Sequence, residues 1–204
     1  QESMAEMFTI YDDRLNPVGR APREQAHAQG LLHEVVHCWV VSESQEGVWL
    51  YFQQRAHDKK EFPGYYDLTV GGHVDAGEDR LAAVLREMRE EIGLLPEAEE
   101  LCYVGMIRED LRIGDFHDRE IGQVYLYCRE APPFAPGEEV ERIIKVELSE
   151  YCKKELQGAQ SITAYTLDGS PLTIRQEEWC RHPGEFARMI LPLLTHGNSQ
   201  EIRV

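Results

Sequence analysis

Arg86, Glu87, Glu90 and Glu91 lie in the run Arg86-Glu87-Met88-Arg89-Glu90-Glu91-Ile92-Gly93-Leu94, with Glu78 and Gly72 upstream. Glu87, Glu90 and Glu91 are spaced at i, i+3 and i+4, so on a helix their carboxylates leave from one region of the surface. Such a cluster repels itself unless cations compensate it, and an oxygen-only donor set suits Mg²⁺ or Mn²⁺. Arg86 adjoins Glu87 and precedes Glu90 by one helical turn, placed to hold a carboxylate and offset part of the charge. Before it, Gly71, Gly72 and Gly77 make a loop whose backbone can approach a ligand and whose carbonyls can join a metal shell. Three glutamates alone would describe an ordinary solvated helix face. The fixed spacing from Gly72 to Leu94 turns the reading toward function.

The element that must present these groups is a helix over 79–92. Asp79 is its expected N-cap and Gly93 its expected left-handed terminator. Leu81, Leu85, Met88 and Ile92 predict one apolar stripe lying on a core, with the three glutamates well away from it.

The segment resembles the Nudix box, and every defining position of that box is met: Gly72, Glu78, Arg86, Glu87, apolar Met88, Glu90, Glu91, Gly93 and apolar Leu94. The resemblance implies a hydrolase that splits a nucleoside diphosphate linked to another moiety, or a related diphosphate, using Mg²⁺ or Mn²⁺ and water attack at phosphorus. It implies Glu87, Glu90 and Glu91 as metal ligands, with Glu87 or Glu90 as base and Gly72 beside the metal. Arg86 and Glu78 take the positions that orient catalytic helix and loop, and Gly93 closes the box. The implied fold is α/β, a Nudix-type α/β/α sandwich around a mixed β-sheet. The chemistry is physically sound, because a diphosphate repels nucleophiles and a divalent ion both screens it and acidifies a bound water.

On the same resemblance Glu120, in Asp115-Phe116-His117-Asp118-Arg119-Glu120, is expected as a further metal ligand, with Asp118 as its lesser neighbour. Arg55, Lys59 and Lys60 are candidates to meet phosphate oxygens; for Lys59 and Lys60 the alternative of solvated surface cations stays open. Tyr65 or Tyr66 could stack on a ring, but packing in a strand is their expected role. His33 and His73 are similar to metal-binding histidines of the isopentenyl-diphosphate isomerases, which share the Nudix fold, and the stretch from Asp13 to His33 resembles that branch. The isomerase reaction needs a cysteine two residues before the loop histidine, and Gly71 stands there, without a thiol to move a proton. An isomerase is therefore the runner-up, followed by a noncatalytic nucleotide-binding Nudix domain. Taken singly, His33 and His73 are read as hydrogen-bonded structural histidines.

The 204 residues carry a formal net charge of -16, which disfavours binding to nucleic acid polymers or anionic membranes. A small-molecule diphosphate is the expected partner, held by metals and local cations. Cys38, Cys102, Cys128, Cys152 and Cys180 are odd in number and form no CxxC pair, which predicts a reduced, cytoplasmic protein. Neither a signal peptide nor a membrane span is expected. Gln1-Glu2-Ser3 ahead of Met4 are read as an expression remnant. Homodimers are common among relatives, so a homodimer is an open expectation.

One domain is expected over 5–196. Met7–Tyr11 and 17–21 predict a hairpin, 22–29 a short helix, and 33–42 and Gly47–Arg55 strands rich in Val, Trp and Tyr. Further strands are expected over 65–74, 101–108, 121–129 and 142–146, with a helix over 149–156. Asp168-Gly169 signals a hairpin appended near 160–175, and 185–191 a closing helix that Pro192 ends or kinks.

Overall fold

The computed structural model describes residues 6–197, for the last three of these as backbone only. The expected remnant at 1–3 and the first residue of the 5–196 span lie outside the described residues. Eleven strands form one sheet, seven of them on the path β11-β10-β9-β4-β3-β1-β2, with β5 paired to β4, β6 and β8 to β3, and β7 to β8. They are β1 (Met7–Tyr11), β2 (Pro17–Pro22), β3 (Leu32–Ser44), β4 (Gly47–Arg55), β5 (Tyr66–Leu68), β6 (Val70–His73), β7 (Leu101–Ile113), β8 (Phe116–Cys128), β9 (Val140–Glu147), β10 (Ser161–Thr166) and β11 (Pro171–Arg175). Helices α1 (Arg23–Gln29), α2 (Arg80–Glu87), α3 (Leu148–Gln157) and α4 (Leu191–Gly197) complete it. The sheet is mixed: β3 runs parallel to β8 and antiparallel to β4 and β6.

Alternation along β3 sorts two layers. Trp39 and Val41 face a core with Phe52, Tyr151, Phe186 and Ile190, covered by α3 and the C-terminal helices. Val36, Cys38 and Val40 face a second core with Val84, Met88 and Ile92. That arrangement is the expected α/β/α sandwich.

Several expectations shift. The strand over 65–74 is two strands: β5 pairs with β4, β6 pairs with β3, and Thr69 between them bonds both Tyr51 O and Val40 N. The chain crosses from one strand to its neighbour, and the sheet splays there. The strands expected over 101–108 and 121–129 are one long hairpin, with β7 and β8 paired from Leu101↔Tyr127 to Ile113↔Phe116. Its distal half is charged and largely exposed, so no apolar run betrays it. The box helix is α-helical only to Glu87, and Met88–Ile92 is a π turn. Its buried row is Val84, Met88 and Ile92 with Ala83, whereas Leu81 is exposed. The stripe read from Leu81 and Leu85 is thus rotated by about one residue. The hairpin near 160–175 is present as β10 and β11, and it extends the sheet through β9 rather than standing apart. Pro192 does not end the closing helix: the π turn Phe186–Ile190 runs directly into α4, of which Pro192 is the second residue. Among the described residues no helix is long and apolar enough to cross a membrane.

Candidate active site

Asp79 caps α2 by accepting from Ala82 N at 2.8 Å, and Gly93 closes the π turn at φ 68. Both stop signals read from the sequence are therefore in use. Because Val84, Met88 and Ile92 face the sheet, the flanking Glu87 and Glu91 are turned toward the glycine loop rather than away from the core. Glu90 projects outward, its side chain 53% exposed.

Gly72 lies opposite Val36 on the face that carries α2. The Glu87 carboxyl packs directly on it, and a Cβ at this position would overlap that group. Glu91 is held from both sides: Gly71 N donates to one oxygen at 2.9 Å and Gln53 Nε2 to the other at 3.1 Å. Arg86 ties the assembly together. Its Nε and one terminal nitrogen clasp both oxygens of Glu78 at 2.9 Å, and the same terminal nitrogen reaches His73 O at 2.9 Å. Its other nitrogen bonds Glu87 at 2.8 Å and lies 3.4 Å from Glu90. One guanidinium thus sets loop, helix and two of the three acids, as bidentate geometry allows.

Charge compensation is incomplete. Burial pushes the Glu91 carboxyl up to about 8, with Glu87 adding to it against the bonds from Gln53 and Gly71. Burial likewise pushes Glu87 up to about 7, although Arg86 opposes it. Two buried carboxyls that hold protons so tightly are short of positive charge, and a divalent cation would supply it. The donor set is all oxygen. The residues present therefore fit Mg²⁺ or Mn²⁺, with Glu87, Glu90, Glu91 and the Gly72 backbone as the groups that would hold it.

A family profile described as the NUDIX domain matches residues 31–165. The chain belongs to the Nudix hydrolase family. It is 32% identical over 151 residues to an uncharacterised Nudix hydrolase of Clostridium acetobutylicum, covering 72% of this chain and 73% of that one. It is 24% identical over 164 residues to an isopentenyl-diphosphate Delta-isomerase of Serratia proteamaculans, covering 80% of this chain and 89% of that one. A crystal structure of a Deinococcus radiodurans protein shares the fold, with TM-score 0.58 and 21% identity over 75% of this chain and 90% of that one.

The other expected residues of this Nudix hydrolase fall in two places. Lys59 and Lys60 line a cleft of about 1050 Å³ with Arg23, Phe62, Tyr65, Phe116 and Glu139. Lys59 lies 3.5 Å from Glu139, whose field reaches Glu87. Arg55 is not among the residues lining this cleft; it spends its guanidinium on Glu61 O, at 2.9 and 3.1 Å, folding back the loop that carries both lysines. Tyr65 faces the cleft, while Tyr66 is core, packed on Trp179.

Glu120 is not brought to the box glutamates. It pairs with His33 across β3 and β8, and with Asp118 and His33 it forms a group on the opposite face of the sheet. There His27, His33 and His73 converge, their ligand atoms within 4.8 Å of one another, with Phe8 stacked on His33 and His73. The expectation of a hydrogen-bonded histidine is met at Nδ1 of His33 and His73. His33 Nδ1 meets Leu31 O at 2.9 Å and its Nε2 lies 3.3 Å from Asp118 Oδ1, which is also 3.5 Å from His27 Nε2; these contacts to Asp118 miss hydrogen-bond geometry, and His73, with Nδ1 3.4 Å from Arg23, leaves its Nε2 without a hydrogen bond. Burial lowers the proton affinity of all three rings, so they are neutral.

Sequence reasoning missed Gln53, His27 and a second buried network. In it His182, beyond the matched region, donates to Glu109 at 2.7 Å and to Asp67 at 2.6 Å, and Glu185 accepts from His37 at 2.7 Å and Trp39 at 2.6 Å. Burial alone would strip the proton from His182, but Asp67 and Glu109 outweigh it and raise its proton affinity well above the usual. Nothing in the local sequence marks these residues, because their partners lie on strands far away in the chain.

Proposed function

We propose that this Nudix hydrolase cleaves a small-molecule diphosphate, a nucleoside diphosphate linked to a second moiety or a close relative, by attack of water at phosphorus with Mg²⁺ or Mn²⁺. The observation that carries the reading is the Arg86-clasped set of Glu87, Glu90 and Glu91 against Gly72, with two of its carboxyls buried and undercompensated. A divalent ion bound there would screen the diphosphate and acidify a water. The chain's own residues do the rest. Glu87 or Glu90 takes the proton, Arg86 keeps both acids in register with the loop, and Arg23, Lys59 and Lys60 offer cations on the cleft wall to phosphate oxygens. A net charge of -16 supports a small substrate over a nucleic acid polymer.

The histidine group supports a second reading, an isomerase-like reaction on an isoprenoid diphosphate. The convergence of His27, His33 and His73 beside Asp118 is what favours it. Gly71 weighs against it, and space is not the reason, since a Cβ there would come no nearer than 4.0 Å to His37. A panel of diphosphates incubated with Mg²⁺ or Mn²⁺ and scored by product mass separates the two. Mono- and diphosphate products of added water support the hydrolase; an unchanged mass with solvent deuterium uptake supports the isomerase.

A further inference from the structure

We infer that the C-terminal segment over 179–185 is part of the catalytic centre, and that His182 is a positioning residue which fixes Asp67 and, through that strand, the bed on which Glu91 is held. The inference rests on the hydrolase reading above and assigns a role to residues beyond the 31–165 match.

The segment lacks regular structure around His182, yet it is pinned at both ends. Cys180 N donates to Tyr66 O at 2.8 Å, and Trp179 forms a bridge with Tyr66. At the other end Glu185, fully buried, takes bonds from His37 and Trp39. Between these anchors the imidazole of His182 lies against His37, with ring centroids 5.0 Å apart. It spans from β5 to β7, strands that do not pair with each other. Both ring nitrogens meet carboxylates at 2.6 and 2.7 Å, and an ionised carboxylate only accepts, so both nitrogens donate and the ring is a cation.

Asp67 begins the crossing where the sheet splays. It is the register partner of Gln53, and it also bonds Leu68 N at 2.7 Å. Gln53 Nε2 divides its donors between Thr69 O at 3.1 Å and Glu91 at 3.1 Å. Gly71 N, two residues further, is the other bond to Glu91. The path from His182 to the metal-holding acid is therefore three contacts long, through Asp67 and Gln53 to Glu91. Losing the ring would leave Asp67 and Glu109 without their shared cation, Asp67 with its charge felt at Glu91 and free to turn toward a new partner. A segment serving stability alone could use apolar contacts, of which Trp179 and Phe186 already supply many.

The experiment measures Mn²⁺ binding, with the metal alone as probe, to wild type, His182→Gln and Glu91→Gln, alongside Mg²⁺ activation of diphosphate hydrolysis. The site of interest is the Mn²⁺ binding that Glu91→Gln removes. The inference expects that site to weaken at least tenfold in His182→Gln, with kcat reduced and KM for the diphosphate within about twofold of wild type. If His182→Gln does not fold, the paired change Asp67→Asn with His182→Gln, which removes both charges together, carries the same expectation. Wild-type Mn²⁺ affinity and Mg²⁺ dependence in a folded variant would overturn the inference. Should wild type bind no Mn²⁺ that Glu91→Gln removes, it is the hydrolase reading that fails.

Discussion

Replacing Glu91 by Gln makes the metal-free protein more stable at alkaline pH while abolishing turnover. The Glu91 carboxyl is 6% exposed and holds its proton up to about 8, against an ordinary value of 4.5. Between those values the folded protein binds a proton that the unfolded chain has released, so stability falls as pH rises through this window. At about 1.4 kcal/mol per unit, ionised Glu91 costs the metal-free fold up to about 4 kcal/mol near pH 8. Gln has nothing to titrate and keeps an acceptor for Gly71 N, but it gives up one of the two bonds, worth about 1 kcal/mol. The net expectation is a gain of about 1–3 kcal/mol near pH 8 that vanishes toward pH 5. Urea unfolding of both proteins in chelator across this range measures it. Wild-type stability that is flat or rising between these pH values, or a Gln variant less stable at the alkaline end, would refute the reasoning.

Gly72→Ala forces the Glu87 carboxyl off its bed; kcat should fall about a hundredfold, the cost of roughly 1 Å of misplacement, with circular dichroism unchanged. Arg86→Lys cannot clasp both oxygens of Glu78 while bonding Glu87 and His73 O, so kcat drops with KM little altered, and calorimetry should show a loss of about 1–3 kcal/mol. Arg55→Ala releases Glu61 O and unfastens the loop with Lys59 and Lys60; limited proteolysis should cut within 56–65, and KM should rise more than kcat falls.

What was legible in the sequence is what depends on local rules. Asp79 and Gly93 mark the ends of the box helix because capping and left-handed termination are matters of neighbouring residues. The hairpins at Asp12 to Asn16 and Asp168-Gly169 were legible for the same reason. The rotation of the helix was not, since Leu81 and Leu85 offer as good a stripe as Val84 and Met88. The choice is made by Gly71 and Gly72, which draw Glu87 and Glu91 onto the sheet. The destination of Glu120 was hidden too. Its pairing with His33 depends on β3 and β8 running parallel, a long-range register no spacing displays. His182 meets Asp67 and Glu109 only after three distant segments fold together.

If the box acids gather divalent ions so that water cuts a phosphorus–oxygen bond, the oxygen of that water must end on phosphorus. Hydrolysis of a diphosphate in heavy-oxygen water, with and without Mg²⁺ and with Glu90→Gln as control, tests it most directly. One labelled oxygen is expected in a phosphate-bearing product, only with the metal and only in wild type. Label in the carbon-bearing alcohol fragment, or equal incorporation by the Glu90→Gln protein, would contradict it.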